Sequence, residues 1–254
     1  MKKTTIPAFL LIYCLSFLVT ACQPATQPQK NDEILYQYST ISSLSAGVFD
    51  GALTFGQLKQ HGDFGLGTFN GLDGEMVEVD GQIYQIKSDG VATLVDDAQK
   101  TPFAVVTYFS PDQTIKIDKV MGCEDLKTYL DGLLPTANIP YAVKVSGVFG
   151  QLQTRSVPKQ TQPYPTLAEA TKKQATFDFQ NVEGVMVGFR LPAYMAGVNA
   201  TPYHFHFITA DHKAGGHVLK CEVEKVTVEI DNTSEWEMDL PSDPAFYKVD
   251  LSGK

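Results

Sequence analysis

The sequence is poor in arginine: Arg155 and Arg190 are the only two in 254 residues. Its 20 basic side chains are outnumbered by 29 acidic ones, giving a formal net charge of −9 at pH 7. That balance argues against a basic nucleic-acid-binding face, and no nucleic acid is expected as a partner. An anionic small molecule would be repelled at long range, so a site for one needs local positive charge from a metal ion or an arginine. Cysteine is scarce as well, with four residues. No His-Glu-x-x-His helix motif occurs, and no short-period repeat of solenoid type. What is left is ordinary globular composition, 43% hydrophobic and 19% charged, which excludes a fibrous or disordered chain. The length permits one large domain or two small ones.

Residues 1–21 read as an export signal. Lys2 and Lys3 precede an apolar run from Phe9 to Val19 that is short for a bilayer span, and Val19-Thr20-Ala21 leads into Cys22. Small residues before a cysteine resemble a bacterial lipoprotein signal, which implies an acyl anchor at Cys22 and no other membrane contact. The expected location is outside the cytosol, as a membrane-anchored lipoprotein or a secreted protein. Cys14 falls in the removed segment, leaving Cys123 and Cys221, which one bridge or two buried thiols would explain equally well. Residues 22–33 contain glutamine, proline and charge without apolar periodicity, and read as a flexible tether.

Folded structure is expected from Ile34. Thr54 and Gln57 fit a capping box for a two-turn helix reaching His61, with Gly62 as a left-handed cap. His61 then sits favourably at the helix C-terminus. Met76–Val79 and Gln82–Ile86 alternate around Asp80-Gly81, which predicts a hairpin with a type I′ turn. Phe103–Phe109 reads as a doubly covered strand. Leu126, Tyr129, Leu130 and Leu133 recur at helical spacing between Cys123 and Leu134. Tyr141–Val148 and Gln151–Val157 read as a strand pair, followed by a proline-bearing loop and a short helix over Leu167–Lys173. Val185–Leu191, Tyr203–Thr209 and Val218–Ile230 continue a second β region. The expected fold is α+β within the broad α/β class, β-rich with few short helices. It has two sheet-containing halves, 34–174 and 175–254, with a site between them.

Four of the five histidines fall between His204 and His217. Strand side chains alternate faces, so His204 and His206 in Tyr203-His204-Phe205-His206-Phe207 project together while the aromatics fill the other face. Asp211–Gly216 has turn chemistry that would return His217 beside them and leave His212 exposed in the turn. Three neutral imidazoles facing one point suit Zn²⁺ with a position open for water or substrate. A cupin-like metalloenzyme also uses His-x-His on a strand, but its next ligand is a carboxylate a few residues on, and here Ala210 and Asp211 follow. An exported metal- or ligand-binding lipoprotein without catalysis is the other reading of the same histidines.

A wider pattern bears on the choice. Tyr36-Gln37-Tyr38-Ser39-Thr40 and the run His61-Gly62-Asp63-Phe64-Gly65-Leu66-Gly67-Thr68-Phe69-Asn70-Gly71-Leu72-Asp73-Gly74-Glu75-Met76 closely resemble the N-terminal part of alpha-acetolactate decarboxylases. Gly188-Phe189-Arg190, Tyr203–Phe207 and Gly215-Gly216-His217-Val218 resemble the same family's metal-binding region, and matches extend with gaps over about 35–245. The resemblance implies a carboxy-lyase, assembled as a homodimer, that turns the anionic 2-hydroxy-3-keto acid 2-acetolactate into acetoin and carbon dioxide. By position it implies zinc on His204, His206 and His217, with the metal stabilising an enediolate. Thr68, Glu75 and Arg155 match the family's active-site threonine, glutamate and arginine. By themselves these three would read as a strand residue, an exposed hairpin residue and a surface cation. Arg190 is left as a structural partner for an acid. The family's acidic C-terminal tail, which adds a further glutamate, has no matched residue here, so none is carried over.

Overall fold

The structure, a computed structural model, describes Met1 and residues 30–252. The export signal over 1–21, Cys22 and most of the expected tether lie outside the described residues. In chain order the first elements are β1 (Ile34–Tyr38), α1 (Ile41–Ser45), β2 (Leu53–Thr54), α2 (Phe55–Leu58), β3 (Phe64–Thr68), β4 (Glu75–Val79), β5 (Gln82–Ile86), β6 (Ala92–Leu94), β7 (Lys100–Thr101) and β8 (Ala104–Thr107). There follow β9 (Gln113–Ile117), β10 (Met121–Gly122), α3 (Cys123–Asp131), β11 (Tyr141–Ser156), α4 (Leu167–Thr171), β12 (Ala175–Arg190), β13 (Tyr203–Thr209), β14 (Gly215–Asn232), β15 (Glu235–Asp239) and α5 (Pro244–Lys248). This is the β-rich α+β architecture expected.

One sheet runs β15-β1-β8-β3-β4-β5-β6, and a second runs β10-β14-β11-β12-β13 with β9 beside β14. β13 also pairs with β14, so the second sheet curls back on itself. Strand alternation explains how the sheets meet. Leu66, Val77 and Val105 from the first sheet interlock with Ala142, Val187, Phe189 and Ile208 from the second. Side chains one residue out of phase, such as Tyr36, Met76 and Val106, face away and are covered by Phe55 and Leu58 of α2. Phe205 and Phe207 likewise face away on the second sheet, toward Leu126 and Leu130 of α3. Each such fully buried aliphatic or aromatic side chain contributes about 1.5–3 kcal/mol against exposure, which fixes both registers.

The hairpin at Asp80-Gly81 is as expected, with φ of 51° and 71° at its two turn residues, as a type I′ turn requires. The Thr54–Gln57 capping box is present, but α2 is a single turn and Gly62 does not take the left-handed conformation. Gly62 is there for close approach instead: a Cβ would lie 2.7 Å from the Thr107 backbone nitrogen. The strand pair expected over 141–157 is one strand, β11, which passes through Phe149 and Gly150 with shifts in its pairing to β14 rather than a turn.

The expected boundary at 174/175 does not separate the sheets. β11, before it, pairs with β12 and β14 after it, and β15 adds in parallel to β1 at the other end of the chain. Hydrogen bonding between sequence-distant strands overrides the composition shift near 175, and residues 31–254 form one compact unit. Cys123 and Cys221 are bonded, tying the start of α3 to β14. The other end of α3 is held where Asp131 accepts from Arg190 Nε at 3.1 Å and Tyr203 Oη at 2.9 Å. Arg190 also donates to the Ala137 carbonyl, so its role is structural.

Candidate active site

At one end of the layer between the sheets, the alternating apolar pattern gives way to polar residues on the same inward faces. Thr68 follows Phe64 and Leu66 on that face of β3, and Glu75 precedes Val77 and Val79 on that face of β4. His204 and His206 precede Ile208 on β13. β14 completes the arrangement, because His217 is aligned with His206 across β13 on one side and with Arg155 across β11 on the other. All six expected residues, Thr68, Glu75, Arg155, His204, His206 and His217, line one cavity of about 220 Å³. None of the first three is a surface residue: Thr68 and Glu75 are buried, and the Arg155 side chain is 15% exposed.

The three histidines offer ring nitrogens that all lie within 4.8 Å of one another, and they are the group among the described residues able to hold a metal ion. His206 Nδ1 is 2.7 Å from the Met76 carbonyl, an acceptor, so Nδ1 carries the hydrogen and Nε2 turns a lone pair into the cavity. His204 Nε2 and His217 Nδ1 are 3.2 Å apart. Burial holds His204 down at about 4, with the Arg155 guanidinium adding to the effect. His206 and His217 are held well below the usual imidazole range, again chiefly by burial, with neighbouring imidazoles and Arg155 contributing. Neutral imidazoles are what a metal ion requires. His212 is exposed in the β13–β14 turn, where Nδ1 meets the Tyr84 hydroxyl at 2.8 Å, and takes no part in the cluster. His61 stacks on Tyr36 with ring centroids 3.7 Å apart.

Glu75 links the histidines to the arginine. Its Oε2 is 3.6 Å from His206 Nε2 and its Oε1 is 3.7 Å from Arg155 Nη1. Burial pushes its carboxyl above the usual range, opposed by Arg155 and by a hydrogen bond from the Val157 backbone N–H. Thr68 Oγ1 donates to the Gly74 carbonyl at 2.7 Å, fixing the backbone from which Glu75 projects and leaving its oxygen able to accept. The Met76 carbonyl and Val157 N–H were invisible to sequence reasoning, since backbone groups carry no residue signature. Leu167 of α4, which helps close the cavity, was read only as part of a short helix, and Ile41 and Leu44 of α1 were not singled out.

A cluster of neutral nitrogen donors able to hold a metal ion, beside a buried acid and a cation, marks this as an enzyme's site for small-molecule chemistry. Comparison with known proteins identifies the family. The profile of alpha-acetolactate decarboxylase matches residues 35–253, and the chain belongs to that family of carboxy-lyases. The alpha-acetolactate decarboxylase of Methanosarcina mazei is 50% identical over 86% of this chain and 76% of its own length. That of Bacillus subtilis strain 168 is 41% identical over 90% and 91%. A crystal structure of the latter enzyme superposes with a TM-score of 0.85 at 42% identity, covering 86% of this chain and 93% of the other.

Proposed function

We propose that the protein catalyses zinc-dependent decarboxylation of 2-acetolactate to acetoin and carbon dioxide, with His204, His206 and His217 holding the zinc ion. The observation that carries this reading is the convergence of three neutral imidazoles, Glu75 and Arg155 on one cavity in a chain of this family. The donor set fits the ion: all three rings are kept neutral by burial, and His206 has its tautomer fixed with Nε2 directed inward. When bound, zinc supplies Lewis-acid stabilisation of negative charge on the substrate's ketone oxygen.

The chain's own residues account for the remaining steps. Arg155 attracts the substrate carboxylate into an otherwise acidic protein and orients it by paired N–H donors. The bond from C2 to the carboxyl carbon breaks, carbon dioxide leaves, and the electron pair moves into the enediolate formed over C2 and C3. A proton is then added at C2. Glu75, whose burial favours the protonated carboxyl, is the group placed to hold and deliver it. Thr68 keeps Glu75 in position through the Gly74 carbonyl.

The reading includes export by the signal over 1–21, an acyl anchor at Cys22 or secretion, and assembly as a homodimer. The Cys123–Cys221 bond supports export, because such bonds persist in oxidising compartments. Decarboxylation without a catalyst gives racemic acetoin, so the test is chiral analysis of product formed from racemic 2-acetolactate. Acetoin above the spontaneous rate and enriched in one enantiomer is expected. Metal binding with no acetoin above background would favour a binding lipoprotein without catalysis.

A further inference from the structure

The cavity has two unlike halves. Facing the polar groups is an apolar wall in which Leu44, Leu72, Phe103 and Val157 are buried in a small core closed by α1 and α4. At the mouth, Ile41 and Leu167 are only partly buried, beside Ala200. The cap is fastened down. Gln160 N–H donates to the Gly71 carbonyl at 2.7 Å, and Tyr164 Oη donates to Asp50 at 3.0 Å. Leu167 is the first residue of α4, whose start is set by Thr166 accepting from the Glu169 N–H.

A 2-hydroxy-3-keto acid presents a carboxylate and two further oxygens, all of which suit the polar half. Its alkyl groups are left for the apolar wall. The buried part of that wall is core, and its size cannot change without opening a void beneath α1 and α4. Any longer alkyl group must therefore extend toward the mouth. We infer that Leu167, together with Ile41, sets the length of the alkyl group accepted on the substrate, which makes Leu167 a specificity-determining residue. This rests on the decarboxylase reading above.

The test compares kcat/KM for 2-acetolactate, its 2-ethyl homologue and the homologue bearing propanoyl in place of acetyl. Leu167→Ala raises the ratio of at least one longer homologue to 2-acetolactate on the order of tenfold, and Leu167→Phe lowers it. Leu94→Ala, on the exposed side of β6, leaves the ratios unchanged. Damage to α4 would lower all three rates together and leave the ratios as they were, which overturns the inference. Should Leu167→Ala fail to fold, Ile41→Ala carries the same expectation and the same refutation. No turnover by the parent on any of the three would sink the decarboxylase reading instead. In that event calorimetric binding of unreactive 2-hydroxy-2-methylbutanoate and its longer 2-alkyl homologues tests the wall, and an unchanged preference in Leu167→Ala overturns it.

Discussion

The Met76 carbonyl accepts a hydrogen bond from His206 Nδ1 at 2.7 Å. Met76 follows Glu75 on β4, so the strand that carries the buried acid also sets the tautomer of a histidine on the opposite sheet. The buried acid and the histidine cluster are thereby placed by one backbone segment. Sliding β4 by one residue would turn Glu75 outward and withdraw this carbonyl together.

Glu75→Gln keeps the shape of the side chain and removes the transferable proton. It lowers kcat by about 10²-fold or more while metal content and thermal unfolding stay close to the parent's. Arg155→Lys keeps charge but loses the paired donors, so it raises KM and lowers kcat/KM. Steady-state kinetics beside metal analysis checks both. Parental kinetics in either variant would remove that residue from the mechanism.

The Cys123–Cys221 bond closes a sequence separation of 98 residues. Cys221→Ser, or reduction of the parent, lowers stability by about 2–5 kcal/mol in denaturant unfolding. The loss falls on α3 and β14 together, since α3 then keeps its packing through Leu126 and Leu130 and its polar contacts at Asp131 but loses the covalent tie at its start. Equal stability with and without reductant would show that the bond does not form.

Glu78 is wholly buried on the face of β4 away from the site, and neither carboxyl oxygen has a hydrogen-bond partner. Burial pushes its carboxyl up to about 8, reinforced by Asp63 and opposed by Lys59. The folded state therefore keeps a proton that the unfolded chain releases near its ordinary value of 4.5. Its contribution to stability is fully present below that value and is lost as pH rises through about 8. Glu78→Gln removes this slope and is the more stable protein at pH 9, by about 3–5 kcal/mol. Chemical unfolding at pH 5, 7 and 9 measures it, and parallel pH dependence in the two proteins contradicts it.

Much of the site was legible because strand alternation is a strict rule. Tyr203-His204-Phe205-His206-Phe207 could place its imidazoles on one face only, and the turn chemistry of Asp211–Gly216 returned His217 to them. Thr68, Glu75 and Arg155 were legible only through family resemblance, as nothing local distinguishes a strand threonine, a hairpin glutamate or a strand arginine from surface residues. Their burial is a product of sheet packing, which local sequence does not encode. For the same reason β11 was divided at Phe149-Gly150, where a bulge and a turn share residue preferences, and the chain was divided at 175 although β15 returns to β1. The pairing of Cys123 with Cys221 depends on where α3 lands on the second sheet, and the sequence left it open.

The most direct measurement sets acetoin production from 2-acetolactate beside metal content, in the purified parent and in His206→Ala, after metal removal and after zinc is restored. The account predicts one zinc per parent chain, acetoin formation that disappears with the metal and returns with it, and neither metal nor activity in the variant. Full activity in the metal-free parent, or zinc bound at one per chain with acetoin no faster than the spontaneous reaction, would contradict it.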